Sequence, residues 1–132
     1  DATEVPDFYT YYNSKVAGGT KVASAYHLVN EIVEKESLVQ DYNIYVFHGT
    51  DGDDWAGEGK DAIRELEKMM LFSNRVGITI AGRATGGKST VETYLNDSNL
   101  LETKSDLLRL DVMEESAEET RLIEGIKKLI GT

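Results

Sequence analysis

Three almost unbroken apolar runs, each followed by a stretch with helical spacing, constrain this chain more than any other feature. They are Asn43–Gly49 (NIYVFHG), Val76–Gly82 (VGITIAG) and Asp106–Val112 (DLLRLDV). Runs this short, apolar at nearly every position, suit strands covered on both faces, as in a parallel sheet enclosed by helices. The stretches around them repeat at three and four residues. Lys21–Glu36 sets Val22, Ala25, Tyr26, Val29, Ile32 and Val33 on one stripe, and Gly59–Ser73 does the same with Ala62, Ile63, Leu66, Met69 and Met70. Thr90–Leu95 reads as a short helix. Glu114–Ile130 offers Ala117, Leu122, Ile126, Leu129 and Ile130, with a Ser116-to-Glu119 capping box at its start and Gly131 at its end. Thr20 or Ser24 is the expected cap of the first helix. A fourth strand-like run, Asp1–Val5, stops at Pro6, the only proline, which favours an edge or a strand end. The alternation predicts a three-layer α/β fold, with right-handed crossovers onto a mostly parallel sheet.

At 132 residues the chain has the size of one domain, and its 40% hydrophobic content is that of a folding sequence. There are 24 acidic and 14 basic side chains, a formal net charge of -10. This balance repels phosphate backbones and anionic lipid, so neither nucleic acid nor a membrane is an expected partner, whereas a divalent cation is compatible with it. Cysteine is absent, which excludes disulfides and thiolate metal sites. No apolar run reaches the ~20 residues that span a bilayer, and a cytoplasmic location is expected.

In open parallel sheets, ligands collect beyond the carboxyl ends of the strands. Thr50-Asp51-Gly52-Asp53-Asp54-Trp55 directly follows the first run and gathers three carboxylates and a hydroxyl, a donor set suited to Mg²⁺. The same residues also suit an acidic loop that caps the next helix. A second segment, Gly82-Arg83-Ala84-Thr85-Gly86-Gly87-Lys88-Ser89, satisfies G-x-x-x-x-G-K-[ST] between a strand and a helix. In a phosphate-binding loop its amides would cradle phosphates, Lys88 would reach the terminal ones and Ser89 would hold Mg²⁺. Asp111 closes an apolar run as the accompanying acid would. Against this, the following helix is short and no base pocket is apparent, so a plain strand-to-helix connection is the competing reading. His27 and His48 are expected to serve packing or surface roles. The cluster Phe8, Tyr9, Tyr11 and Tyr12 is expected to fold over the core.

Gly18-Gly19-Thr20 before the first helix, and Thr50-Asp51-Gly52 after an apolar strand, resemble the second and third elements of the metal-ion-dependent adhesion site of von Willebrand factor type A domains. The runs GGTKVASAYHLVNEIVEKE, YNIYVFHGTDGDDW, NRVGITIAG and DLLRLDV resemble the C-terminal half of the uncharacterised YhbH/YeaH-like bacterial family. The resemblance implies that Thr20 and Asp51 contribute to an Mg²⁺ site, with Asp53 and Asp54 behind them. The first element of such sites, Asp-x-Ser-x-Ser, has no counterpart in residues 1–132, so the resemblance implies a single type A-like domain lacking its first strand. Mg²⁺ binding would then be weak or absent, and an exposed central strand edge would be closed by dimerisation or by Asp1–Val5. The expected function is a non-enzymatic protein-interaction module with a partial Mg²⁺-dependent site. The alternatives are a nucleotide-binding or nucleotide-hydrolysing protein using Gly82, Gly87, Lys88 and Ser89, and a structural remnant without a ligand.

Overall fold

A computed structural model describes residues 21–54, 59–82, 87–114 and 116–131. Helix α1 (Val22–Lys35) leads through a 3₁₀ turn at Leu38–Gln40 into strand β1 (Tyr45–Thr50). Then follow α2 (Lys60–Met70), β2 (Arg75–Gly82), α3 (Thr90–Asp97), the single turn α4 (Leu100–Thr103), β3 (Leu108–Glu114) and α5 (Glu119–Ile130). The three strands form one parallel sheet in the order β1-β2-β3, with Val46 opposite Val76 and Val76 opposite Leu108. Asp1–Val5, the aromatic cluster and Thr20 lie outside the described residues.

Side chains alternate across a strand, so the sheet has two faces of different character. Val76, Ile78 and Ile80 of β2 and Leu108 of β3 are buried on one face, against Val22 and Tyr26 of α1, Leu66 and Met69 of α2, Leu95 of α3 and Leu100 of α4. Among the described residues, helix α5 alone covers the other. A Cβ built on Gly77 would meet Leu129 Cβ at 3.3 Å, and one on Gly125 would overlap an Asp111 carboxylate oxygen and reach Met113 Cε at 3.1 Å. Absence of a side chain at both positions lets this helix approach the strands closely. Asp111, 2% exposed, holds it there by accepting from both terminal nitrogens of Arg121, at 2.8 and 3.0 Å.

Several boundaries differ from those the sequence predicts. The final helix begins at Glu119, because residues up to Glu114 continue β3, and its N-cap is Glu118 with no side-chain capping bond. The Ser116 capping box therefore does not form. The N-cap residue of helix α1 is Lys21, which makes no side-chain capping bond; the first amide of the helix, that of Val22, donates to Asp54 Oδ1 at 3.3 Å. The short helix ends at Asp97 and is followed by the turn α4, which the sequence reading does not include.

His27 on α1 clamps the two neighbouring helices through ring nitrogens 3.0 Å from Glu31 and 3.1 Å from Glu65 of α2. Its hydrogen bond to Glu65, aided by both carboxylate charges, raises its pKa above the usual 6.5. A folded-state pKa above the unfolded one means that this stabilisation is complete below 6.5 and is lost as pH rises through the folded value. Thermal melts from pH 6 to 8.5 should show the parent losing stability relative to His27→Gln as pH rises. Parallel curves across that window would remove the clamp as a source of stability.

Candidate functional site

The carboxyl ends of all three strands open onto one cleft of about 790 Å³. Asp51 and Asp53 line it from the end of β1, and Ile80 to Gly82 from β2. Gly87, Lys88, Ser89 and Glu92 line it from the start of α3, and Val112 to Glu114 from β3. The two sequence segments that compete as separate sites thus share one wall-to-wall space.

Local chemistry shapes the Asp51 loop. The Thr50 hydroxyl accepts from the Gly52 amide at 3.0 Å, and Asp51 Oδ1 accepts from the Asp53 amide at 2.9 Å, so two consecutive side-chain turns reverse the chain as it leaves β1. Gly52 sits at φ 93°, in the region that side chains rarely enter, and a Cβ there would overlap Ser89 and come within 3.0 Å of Ile80 Cγ2. Its carbonyl accepts from the Val91 amide at 2.9 Å. These contacts fasten the Asp51 loop to the start of α3. Ser89 Oγ in turn accepts from the Glu92 amide at 3.3 Å as the N-cap of α3.

Asp54, three residues from Asp51, has a different setting. It is 8% exposed, its Oδ1 accepts from the Val22 amide, and its Oδ2 accepts from the Tyr94 hydroxyl at 3.0 Å. The Tyr26 hydroxyl and His48 Nδ1 share a hydrogen bond of 2.8 Å nearby, with the rings edge to face at a centroid distance of 5.2 Å. Burial, then Asp54, through its charge at Tyr26 and its hydrogen bond and charge at Tyr94, pushes both tyrosine hydroxyls above their ordinary pKa, and burial pulls His48 below 6.5. The tyrosines therefore stay protonated at neutral pH and His48 stays uncharged. This network fixes the start of α1, the loop after β1 and the middle of α3 relative to one another.

The structure thus brings Asp51, Asp53, Gly82, Gly87, Lys88 and Ser89 to the cleft, and turns Asp54 inward beneath it. Asp111 is not the acid of a phosphate site: it lies in mid-strand under α5, and Glu114 occupies the cleft end of β3. Gly82 and Gly87 have open space where a Cβ would stand and no positive φ, so neither backbone position demands glycine. Among the described residues, no three His, Asp or Glu side chains gather closely enough to hold a metal ion. Asp51 and Asp53 are nevertheless exposed oxygen donors of the kind Mg²⁺ takes alongside water. Tyr94 and Tyr26 had no signal in the sequence as site residues, because their spacing is that of helix packing faces.

Fold and site together define a three-layer α/β protein with a small parallel sheet flanked by helices and an acidic cleft at its carboxyl edge. The chain belongs to the family described as "Protein of unknown function (DUF444)", whose model matches residues 1–109. Among the curated relatives, a UPF0229 protein of Ruminiclostridium cellulolyticum is 27% identical over 88 residues, covering 65% of this chain and 22% of its own length. A UPF0229 protein of Vibrio vulnificus is 40% identical over 68 residues, covering 52% and 16%. One from Serratia proteamaculans is 37% identical over 65 residues, covering 49% and 15%. The chain thus spans about a fifth or less of the length of these relatives. No solved structure matches it. Among the described residues, no helix is long and apolar enough to cross a membrane.

Proposed function

We propose that the chain is a non-enzymatic protein-interaction module of the von Willebrand factor type A-like kind, whose partner contact runs through a partial Mg²⁺ site at the cleft. Asp51 is its carboxylate donor, Asp53 acts through the ion's water shell, and Thr20 is the second protein donor. The observation that carries this reading is the fastening of the Asp51 loop to the start of α3 across one cleft at the strand ends. A fixed loop presenting exposed carboxylates can hold a hydrated Mg²⁺ without ordering cost at binding. With few protein donors, most coordination positions go to water, so binding is weak, roughly millimolar, the loose end of oxygen-ligand sites.

The phosphate-loop reading is favoured by one observation, that Gly82, Gly87, Lys88 and Ser89 all line the same cleft. It is weakened by the engagement of Ser89 Oγ as a cap and of Asp111 by Arg121.

The two readings separate in one titration followed by backbone amide NMR. Mg²⁺ alone should shift Asp51 to Asp53, and Asp51→Ala should abolish the response while costing less than about 1 kcal/mol of stability, since an exposed turn bond is all it removes. Lys88→Ala should leave the response intact. Shifts at Gly87 and Lys88 that require ATP would transfer the function to the phosphate-loop reading. An Asp51→Ala response equal to the parent's would eliminate the Asp51 site, and silence with both ligands would leave a scaffold without its own ligand.

A further inference from the structure

A second opening lies between the C-terminal ends of α1 and α2 and shares no residue with the strand-end cleft. Its volume is about 360 Å³, within the roughly 300–1,000 Å³ of small-ligand sites. Val33 of α1, Val39 of the 3₁₀ turn, and Leu71 and Phe72 just past α2 give it apolar walls. Leu71 is 87% and Val39 52% exposed, which leaves apolar surface for an entering group to cover.

The lining also holds an unanswered acceptor. Asn30 is 6% exposed, and its amide nitrogen donates to the Glu65 carbonyl at 2.9 Å and to Glu65 Oε2 at 2.8 Å. These two bonds fix the carboxamide, because turning it over would set its oxygen against two acceptors. Oδ1 is thereby left buried without a donor among the described residues. Glu65 lines a different opening, with His27 and Glu31, whereas Asn30 lines this one, so the oxygen, at the opposite corner from the nitrogen, lies on the groove side. A buried acceptor left open is a standing cost that an incoming N–H or O–H removes. At the rim, Glu34 and Lys68 are exposed, and neither is in an ion pair among the described residues. One negative and one positive charge at one opening match a ligand that carries both.

We propose that this groove binds a free aromatic α-amino acid whose ring carries a hydrogen-bond donor, tryptophan or tyrosine. The ring lies among Val33, Val39, Leu71 and Phe72, its N–H or O–H donates to Asn30 Oδ1, the ammonium faces Glu34 and the carboxylate faces Lys68. Oδ1 is closed to bulk water, so the exposed Lys68 and Leu71 side chains shift as the ring enters, a rotamer change common on binding. A zwitterion has no net charge for a chain of net charge -10 to repel. The same ring inside a peptide would have spent both α-groups on amide bonds, leaving Glu34 and Lys68 unmatched, which favours the free amino acid as occupant.

The test is amide NMR of this chain titrated with tryptophan, with 1-methyltryptophan, which lacks the ring donor, and with N-acetyltryptophanamide, which lacks both charges. Tryptophan should shift the amides of Val33, Ser37, Val39, Leu71 and Phe72 saturably, with a Kd of about 1 mM or below, as expected for a ligand of its size. The methylated compound should bind about fivefold more weakly, the effect of one lost hydrogen bond. The blocked compound should also bind about fivefold more weakly, from the loss of two exposed charge pairs. Lys68→Ala and Glu34→Gln, both at exposed positions, should each weaken tryptophan binding about two- to fivefold and leave the rest of the spectrum in place. Absence of saturable shifts in the groove would overturn the proposal. Equal binding of the blocked compound would overturn it in favour of an aromatic side chain of a protein partner, and equal binding of the methylated compound would overturn it by showing that Asn30 takes no donor from the ligand.

Discussion

Asp54→Ala is expected to lower the free energy of unfolding by about 2–4 kcal/mol, the cost of leaving two buried donors without an acceptor. Those donors are the Val22 amide and the Tyr94 hydroxyl, and neither has solvent to turn to, since Val22 is fully buried and Tyr94 is 5% exposed. The loss should be read from urea unfolding at pH 7. Asp54→Asn keeps one acceptor oxygen and should lose less, which separates the missing acceptor from general damage to the loop. A loss below about 1 kcal/mol for the alanine variant would show that these bonds are replaced by water or by rearrangement, and would remove Asp54 as the anchor of the cleft.

Gly52→Ala should cost a similar amount for a different reason. A side chain at φ 93° carries roughly 1–2 kcal/mol of backbone strain, and its Cβ must also displace Ser89 and crowd Ile80, which adds about 1–3 kcal/mol of overpacking. Because Ser89 caps α3, the amides from Val91 to Thr93 should shift along with the stability loss. Gly87→Ala is the control: its Cβ meets open space, so stability should change by no more than about 0.5 kcal/mol. Equal effects of the two substitutions would mean that the loops are not fastened through Gly52.

The contrast between these glycines marks where reading the sequence succeeds and where it stops. Element order and type are legible because β2 is apolar at almost every position and α2 repeats Ala62, Leu66, Met69 and Met70 at helical spacing. Those patterns record burial, and burial made the parallel sheet. The end of β3 is not legible, because Glu114 looks like the start of a helix, while its strand pairing with Gly82 depends on a partner 32 residues earlier. The roles of three neighbouring carboxylates are equally hidden. Asp51, Asp53 and Asp54 are chemically alike, and only the position of α1 and Tyr94 turns Asp54 inward while the other two face the cleft. Glycine spacing misleads in the same way: Gly82 and Gly87 complete a motif that the backbone does not require, whereas Gly52 meets a steric demand from a helix 37 residues further on.

The contacts of Asp54 span 32 residues to Val22 and 40 to Tyr94. The strand pairings are separated about as widely, 30 residues between Tyr45 and Arg75 and 32 between Val76 and Leu108, but they are held as ladders. The Asp54 contacts rest on one side chain that needs α1, the loop after β1 and α3 all in place, which puts them on the late side of the folding barrier. Weakening them should therefore accelerate unfolding while leaving the folding rate nearly unchanged. In kinetic terms the strand-end edge of the cleft is expected to be among the first parts to open, so the rate at which the Asp54 contacts let go, more than the burial of the β2 core, is expected to set how long the cleft stays intact.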